Sequence, residues 1–98
     1  MLSLMLLSDF QQLIRERYFE TDSARGAAGT FLWFAEEVGE LAEAIGKMQR
    51  GDGSQAALEE EFADVLAWLA TLANITGVDL TAAIEKKYLT GGGPKGIK

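Results

Sequence analysis

Two amphipathic stretches in this chain carry the same charged pattern, and that repetition leaves few folds open. Glu37-x-x-Glu40 lies in one and Glu61-x-x-Asp64 in the other, each pair at i, i+3 spacing. On a helix this puts both side chains on one face, with about 4.5 Å of rise between them. The surrounding apolar residues recur at helical intervals. With Glu37 at 0° on a wheel of about 100° per residue, Phe34, Val38, Leu41, Ile45 and Met48 fall at roughly 20° to 100° and Glu40 at about 300°. With Glu61 at 0°, Leu58, Phe62, Val65, Leu69 and Leu72 occupy the same arc, and Asp64 lies at about 300°. Both pairs therefore edge an apolar stripe on the same flank. The short Arg50 to Ser54 turn makes the two helices antiparallel neighbours, so the pairs can face each other.

A solvated acidic face is the usual fate of glutamates on a helix. It leaves the shared flank unexplained, and it lacks the usual partners: the i+4 neighbours are Leu41, Ala44, Val65 and Trp68, none of them basic. Glu43-Lys47 does have such a partner, and it is expected to lie away from the site. Four converging carboxylates repel one another unless a cation joins them. The chain has no His and no Cys. This removes zinc signatures, Ser-His-Asp and cysteine chemistry, and the Glu-x-x-His motifs of di-iron bundles. An all-oxygen donor set suits Mg²⁺ or Mn²⁺.

No strand signal competes with the helical periodicity. We expect four helices: Ser8 to about Glu20, with Gln11 completing a capping box; Thr30 to about Gln49, with Thr30 as N-cap; about Gln55 to Asn74, capped by Ser54; and Leu80 to about Leu89, capped by Asp79. The stretch Ser23 to Gly29 reads as a loop or a mobile helix start, and residues 91–98 as a flexible tail. Arg50-Gly51-Asp52 reads as a helix-ending turn, and Gly93-Pro94-Lys95 lacks the spacing of a P-loop. The 98 residues make one all-α domain, whose 48% apolar content favours self-association. A net charge of −6 argues against a nucleic-acid polymer as partner. The apolar opening residues are too few to span a bilayer and lack a signal-peptide pattern, so no membrane association and a cytoplasmic location are expected.

At these residues the chain resembles the MazG-like all-α nucleoside triphosphate pyrophosphohydrolases, whose pattern is Glu-x-x-Glu, a spacer, then Glu-x-x-Asp. Glu36-Glu37-Val38-Gly39-Glu40-Leu41, Glu60-Glu61-Phe62-Ala63-Asp64-Val65-Leu66 and Gly77-Val78-Asp79-Leu80 carry the likeness, which spans roughly Thr30 to Tyr88. The resemblance implies a four-helix-bundle-like fold assembled as a homodimer or homotetramer. It implies Mg²⁺ on Glu37, Glu40, Glu61 and Asp64, and cleavage of nucleoside triphosphates between the α- and β-phosphates, often as house-cleaning of non-canonical nucleotides. The family's last segment often carries more basic residues than the glycine-rich end found here.

The triphosphate approaches this acidic wall only through metal ions, which also orient the leaving group and acidify a water. The group taking the water's proton must be a carboxylate or a hydroxide held by the metal. Glu36 is the candidate for base or outer ligand, with Glu37 or Glu61 as alternatives. Trp33 and Trp68, each one turn from a carboxylate pair, can stack a base, Trp33 being the better placed. Asn74 can bond base or sugar. Lys86, Lys87, Arg25 and Lys47 can meet pyrophosphate, and Lys87 is the choice the resemblance favours. The alternatives are a non-catalytic helical oligomer or regulatory module whose acidic face recognises a basic partner, and a hydrolase of another phosphoanhydride.

Overall fold

A computed structural model of the chain describes residues 4–94, and these are helical with short connections. The element order is α1 (Leu7–Arg50), α2 (Gln55–Thr76), α3 (Leu80–Ile84) and a π-helical turn at Glu85–Thr90. The first two expected helices are thus one run, interrupted by a single residue. Gly26, with φ 83° and ψ 169°, leaves the helical region. Alanines and an arginine around it are good helix formers, so helix resumes at once and the expected seven-residue loop shrinks to an elbow. A straight 44-residue helix would measure about 66 Å. The longest dimension here is 40 Å, so the elbow bends α1 strongly.

The caps follow local chemistry, with two departures from expectation. α1 starts after Leu6, whose amide donates to Asp9 Oδ2 at 2.9 Å, so Asp9 and not Ser8 secures the first turn. Thr30 is buried inside α1 and caps nothing; its Oγ1 accepts from Arg25. Gly51 ends the helix in the left-handed conformation (φ 83°), and Asp52 N donates back to Lys47 O at 3.0 Å. Ser54 Oγ then accepts from Ala57 N, and Asp79 Oδ1 from Ala82 N, both at 3.1 Å, as expected of N-caps.

α1 and α2 form an antiparallel hairpin, and α3 folds back against α1. Gln11, free of the capping role, is the clasp. Its Nε2 donates to Asn74 Oδ1 (3.0 Å) and to Val78 O (2.7 Å), and its Oε1 accepts from Leu80 N (2.9 Å). Asn74 Nδ2 donates in return to Gln11 O at 3.2 Å. The apolar core is thin: Ile14, Ala70 and Ala73 are the buried apolar residues among those described. Phe31, Val38 and Ile45 on α1, and Phe62, Leu66 and Leu69 on α2, stay exposed along helical stripes. Residues 91–94 turn back towards Tyr88, Gly93 N donating to Lys87 O; residues 95–98 of the expected tail lie outside the described residues. No single described helix is long and apolar enough to cross a membrane.

Candidate metal centre

Past the elbow, Glu37 and Glu40 ride on α1 opposite Glu61 and Asp64 on α2. Trp33 stacks on Trp68 with ring centroids 6.1 Å apart and planes 12° from parallel. One turn from this stack, in opposite chain directions, stand Glu37 and Asp64. The aromatic pair therefore sets the register of the carboxylates. One oxygen each from Glu37, Glu61 and Asp64 lie within 4.8 Å of one another. Glu37 and Glu61 are half-buried, and Asp64 is exposed at the rim. Glu40 borders the group, within hydrogen-bonding reach of both Glu37 and Glu61. Glu36, on the exposed side of the same turn, stands outside it.

Burial raises the Glu37 carboxyl above its ordinary value, and the charges of Glu40, Asp64 and Glu61 raise it further. Glu61 is pushed up in the same way, by burial first and then by Glu40 and Asp64. Oε2 of Glu37 and Oε2 of Glu61 are buried with no hydrogen-bond partner. Buried carboxylate oxygens without donors are costly unless protonated or bound by a cation. Three carboxylates whose oxygens come this close, two of the residues each carrying a partnerless buried oxygen, fit a hard divalent ion, and Glu37, Glu61 and Asp64 could hold one, with Glu40 beside them.

A cleft of about 240 Å³ opens next to the group, lined by Glu40, Glu43, Lys47, Ser54, Ala57 and Glu61 among others. Lys47 pairs with Glu43 at 3.4 Å. The pair was expected away from the carboxylates, yet both residues line this cleft. Residue 47 follows Glu40 by seven positions, nearly two whole turns, and so returns to its face.

The remaining candidates are dispersed. Trp68 lines a second cavity on the far side of the aromatic stack, and Trp33 is half-exposed. Asn74 is buried in the Gln11 clasp, about 15 Å along α2 from Asp64. Lys86 and Lys87 are exposed on the π-helical turn. Arg25 is committed inside the fold: it donates to Thr30 Oγ1 (3.1 Å) and Asp22 Oδ1 (3.2 Å), and its guanidinium lies 5.1 Å from the Trp68 ring centroid. Sequence reasoning overlooked Asp22, a carboxylate only 4% exposed. Its opposite charge three residues before Arg25 was the available signal.

The family model of the MazG nucleotide pyrophosphohydrolase domain matches residues 26–88, from the elbow to the π-helical turn. No curated protein matches the chain.

Proposed function

Because the chain belongs to the MazG nucleotide pyrophosphohydrolase family, we propose that it hydrolyses nucleoside triphosphates to the monophosphate and pyrophosphate. The reading rests on one observation above the others. Glu37, Glu61 and Asp64 converge within 4.8 Å, and two of their oxygens are buried without partners. A triphosphate cannot approach such a group directly, because like charges repel. Mg²⁺ or Mn²⁺ held by Glu37, Glu61 and Asp64, with Glu40 alongside, would supply the charge that joins carboxylates to phosphate oxygens and would activate a water.

The chain's own residues do the rest. Glu37 or Glu61 could take the water's proton as well as hold the metal, since both stand where the carboxylate oxygens converge. Glu36, exposed on the adjoining surface, is the outer candidate for the same task. Lys47, at the mouth of the cleft with Glu40 and Glu61, is placed to neutralise departing pyrophosphate by exchanging Glu43 for a phosphate oxygen. Trp33 and Trp68, stacked on each other one turn from the carboxylates, are the aromatic surface a base would meet. In this reading Asn74, bonded to Gln11, serves the fold, and Lys87, exposed on the π-helical turn, is a further candidate to meet phosphate. Removing damaged or surplus triphosphates from the cytoplasmic pool is the house-cleaning role this chemistry suits.

Self-association belongs to the same proposal. The exposed stripes Phe31–Val38–Ile45 and Phe62–Leu66–Leu69 leave both faces of the hairpin half-covered, and a second hairpin would complete a four-helix core as a homodimer or homotetramer.

The test is a panel of ribo- and deoxynucleoside triphosphates with Mg²⁺, products resolved by chromatography. Monophosphate plus pyrophosphate, abolished by EDTA, is expected. Diphosphate plus orthophosphate would contradict the scission, and no turnover would favour an acidic recognition module.

A further inference from the structure

We infer that Arg25 is a positioning residue for the metal centre: it fixes Trp68, and through the Trp33–Trp68 stack it sets how closely the carboxylate oxygens converge. The inference rests on the reading of Glu37, Glu61 and Asp64 as metal ligands, and adds a control on them from the far side of the elbow. Arg25 and its partner Asp22 stand just before residues 26–88, the part of the chain that the family model matches.

The guanidinium is held by two buried anchors. Asp22 accepts from it through Oδ1 at 3.2 Å, and Thr30 through Oγ1 at 3.1 Å. Asp22 precedes Gly26 and Thr30 follows it, so the group is tied to both halves of α1. From this position its central carbon lies 5.1 Å from the centroid of the Trp68 ring. That is inside the roughly 6 Å within which a cation is attracted to an indole. Arginine suits the task, since its planar fork can bond two acceptors and still attract an aromatic ring, whereas lysine offers only a point charge.

Trp68 needs such a hold. It lines a cavity of about 390 Å³, together with Arg25, Ile14 and Thr71, so close packing does not surround the side chain. Trp33 stacks on Trp68 at 6.1 Å. Trp33 comes one turn before Glu37 and Trp68 one turn after Asp64, about 6 Å of rise in each case. A tilt of the Trp68 ring is therefore passed to Trp33, and with it to the register of α1 against α2. The carboxylates resist convergence, because like charges repel. The stack has to hold them together before a cation arrives, and groups that orient metal ligands in this way tune the affinity for the metal.

The test reads Mg²⁺ affinity by calorimetry without nucleotide, and the near-ultraviolet circular dichroism of the tryptophans in EDTA. The central variant is Arg25→Met/Asp22→Asn. It removes one positive and one negative charge, so the net charge is unchanged and any effect on Mg²⁺ reports position, not field. Mg²⁺ should bind at least about tenfold more weakly than to the wild type, and the tryptophan signal should fall. Arg25→Lys, which keeps the charge without the fork, should weaken binding in the same direction and covers the case in which the double variant does not fold. Trp68→Leu should weaken binding by a similar factor, and combining it with the pair of changes should add little. A folded double variant or Arg25→Lys protein that binds Mg²⁺ as tightly as the wild type overturns the inference. Full additivity with Trp68→Leu overturns it too, because the effect would then not run through that ring. Unchanged Mg²⁺ affinity in variants of a protein that does hydrolyse triphosphates removes this inference alone. The expected loss of affinity, in a protein that hydrolyses none, upholds it and removes the proposed reaction.

Discussion

Trp33 and Trp68 lie ring on ring, 6.1 Å between centroids, and this contact holds Glu37 opposite Asp64. The stack is a spacer between two polar regions. On one side is the carboxylate group, on the other the Asp22–Arg25 pair beneath the elbow. Shortening either tryptophan would let the helices slide, and the oxygens that now lie within 4.8 Å would no longer share one point.

Replacing Glu61 by Gln keeps the shape of the side chain and removes its charge. Losing such a ligand should lower turnover by at least about 100-fold, the upper range seen for partners of metal ligands. Thermal melts give a second readout. Mg²⁺ at about 100 times its Kd stabilises a protein by about 2.7 kcal/mol, and that rise should shrink sharply in Glu37→Gln, Glu61→Gln and Asp64→Asn. An undiminished Mg²⁺ response in all three would remove the site.

The same carboxyls make stability depend on pH. Glu37 and Glu61 have folded-state values raised above 4.5, so the folded protein retains protons that the unfolded chain has released. Their favourable contribution is full below about pH 4.5 and is lost as pH rises through the raised values. Metal-free protein should therefore lose stability from this pair as pH rises above about 4.5, and the double variant Glu37→Gln/Glu61→Gln should lose less. Urea titrations in EDTA across that window measure the difference, and parallel slopes for the two proteins would refute it.

Arg25 bridges the elbow by bonding Asp22 before Gly26 and Thr30 after it. Arg25→Met should destabilise by about 2 kcal/mol, mostly by leaving Asp22 buried and unpaired. Adding Asp22→Asn should recover part of the loss, a coupling that a double-mutant cycle of denaturation free energies would detect.

Gln11 makes three hydrogen bonds through one amide. Gln11→Ala should cost about 2–3 kcal/mol. Gln11→Glu should cost more, because a carboxylate oxygen would then face both Val78 O and Asn74 Oδ1. Amide exchange over residues 78–84 should rise in both variants, since this clasp attaches α3 to the rest of the hairpin.

Gly26→Ala tests the elbow itself. Nothing lies within 4 Å of the position a Cβ would take, so crowding is not the obstacle. The backbone at φ 83° and ψ 169° is one that only glycine adopts readily. Alanine should cost about 1–3 kcal/mol in a chemical melt or straighten α1, which small-angle scattering would register as elongation.

The carboxylate pairs were legible because helical spacing is a local property: Glu37, Glu40, Glu61 and Asp64 follow from a period of 3.6 and a short turn. The caps at Ser54 and Asp79 and the stop at Gly51 were legible for the same reason. Thr30 was not, since a threonine before an apolar run looks like an N-cap until Arg25 is found to occupy its hydroxyl. Ser8 and Gln11 formed a capping box on paper, but Gln11 has better partners 63 to 69 residues away. Lys47 could have been assigned to the carboxylate cleft by counting seven residues from Glu40, and Asp22 could have been noticed as the partner of Arg25.

Sequence alone determined the helical class, the antiparallel pairing of two acid-edged helices and the absence of nitrogen and sulfur metal ligands from His or Cys. Each follows from residue type and short-range periodicity. Tertiary structure decided which oxygens lose their water, that α1 bends at Gly26 and not over a loop, and that Asp22 is sealed beneath the elbow beside Trp68. Burial is a property of what packs from elsewhere in the chain. Desolvation, and with it the proton affinity of Glu37 and Glu61, is fixed only once that packing exists.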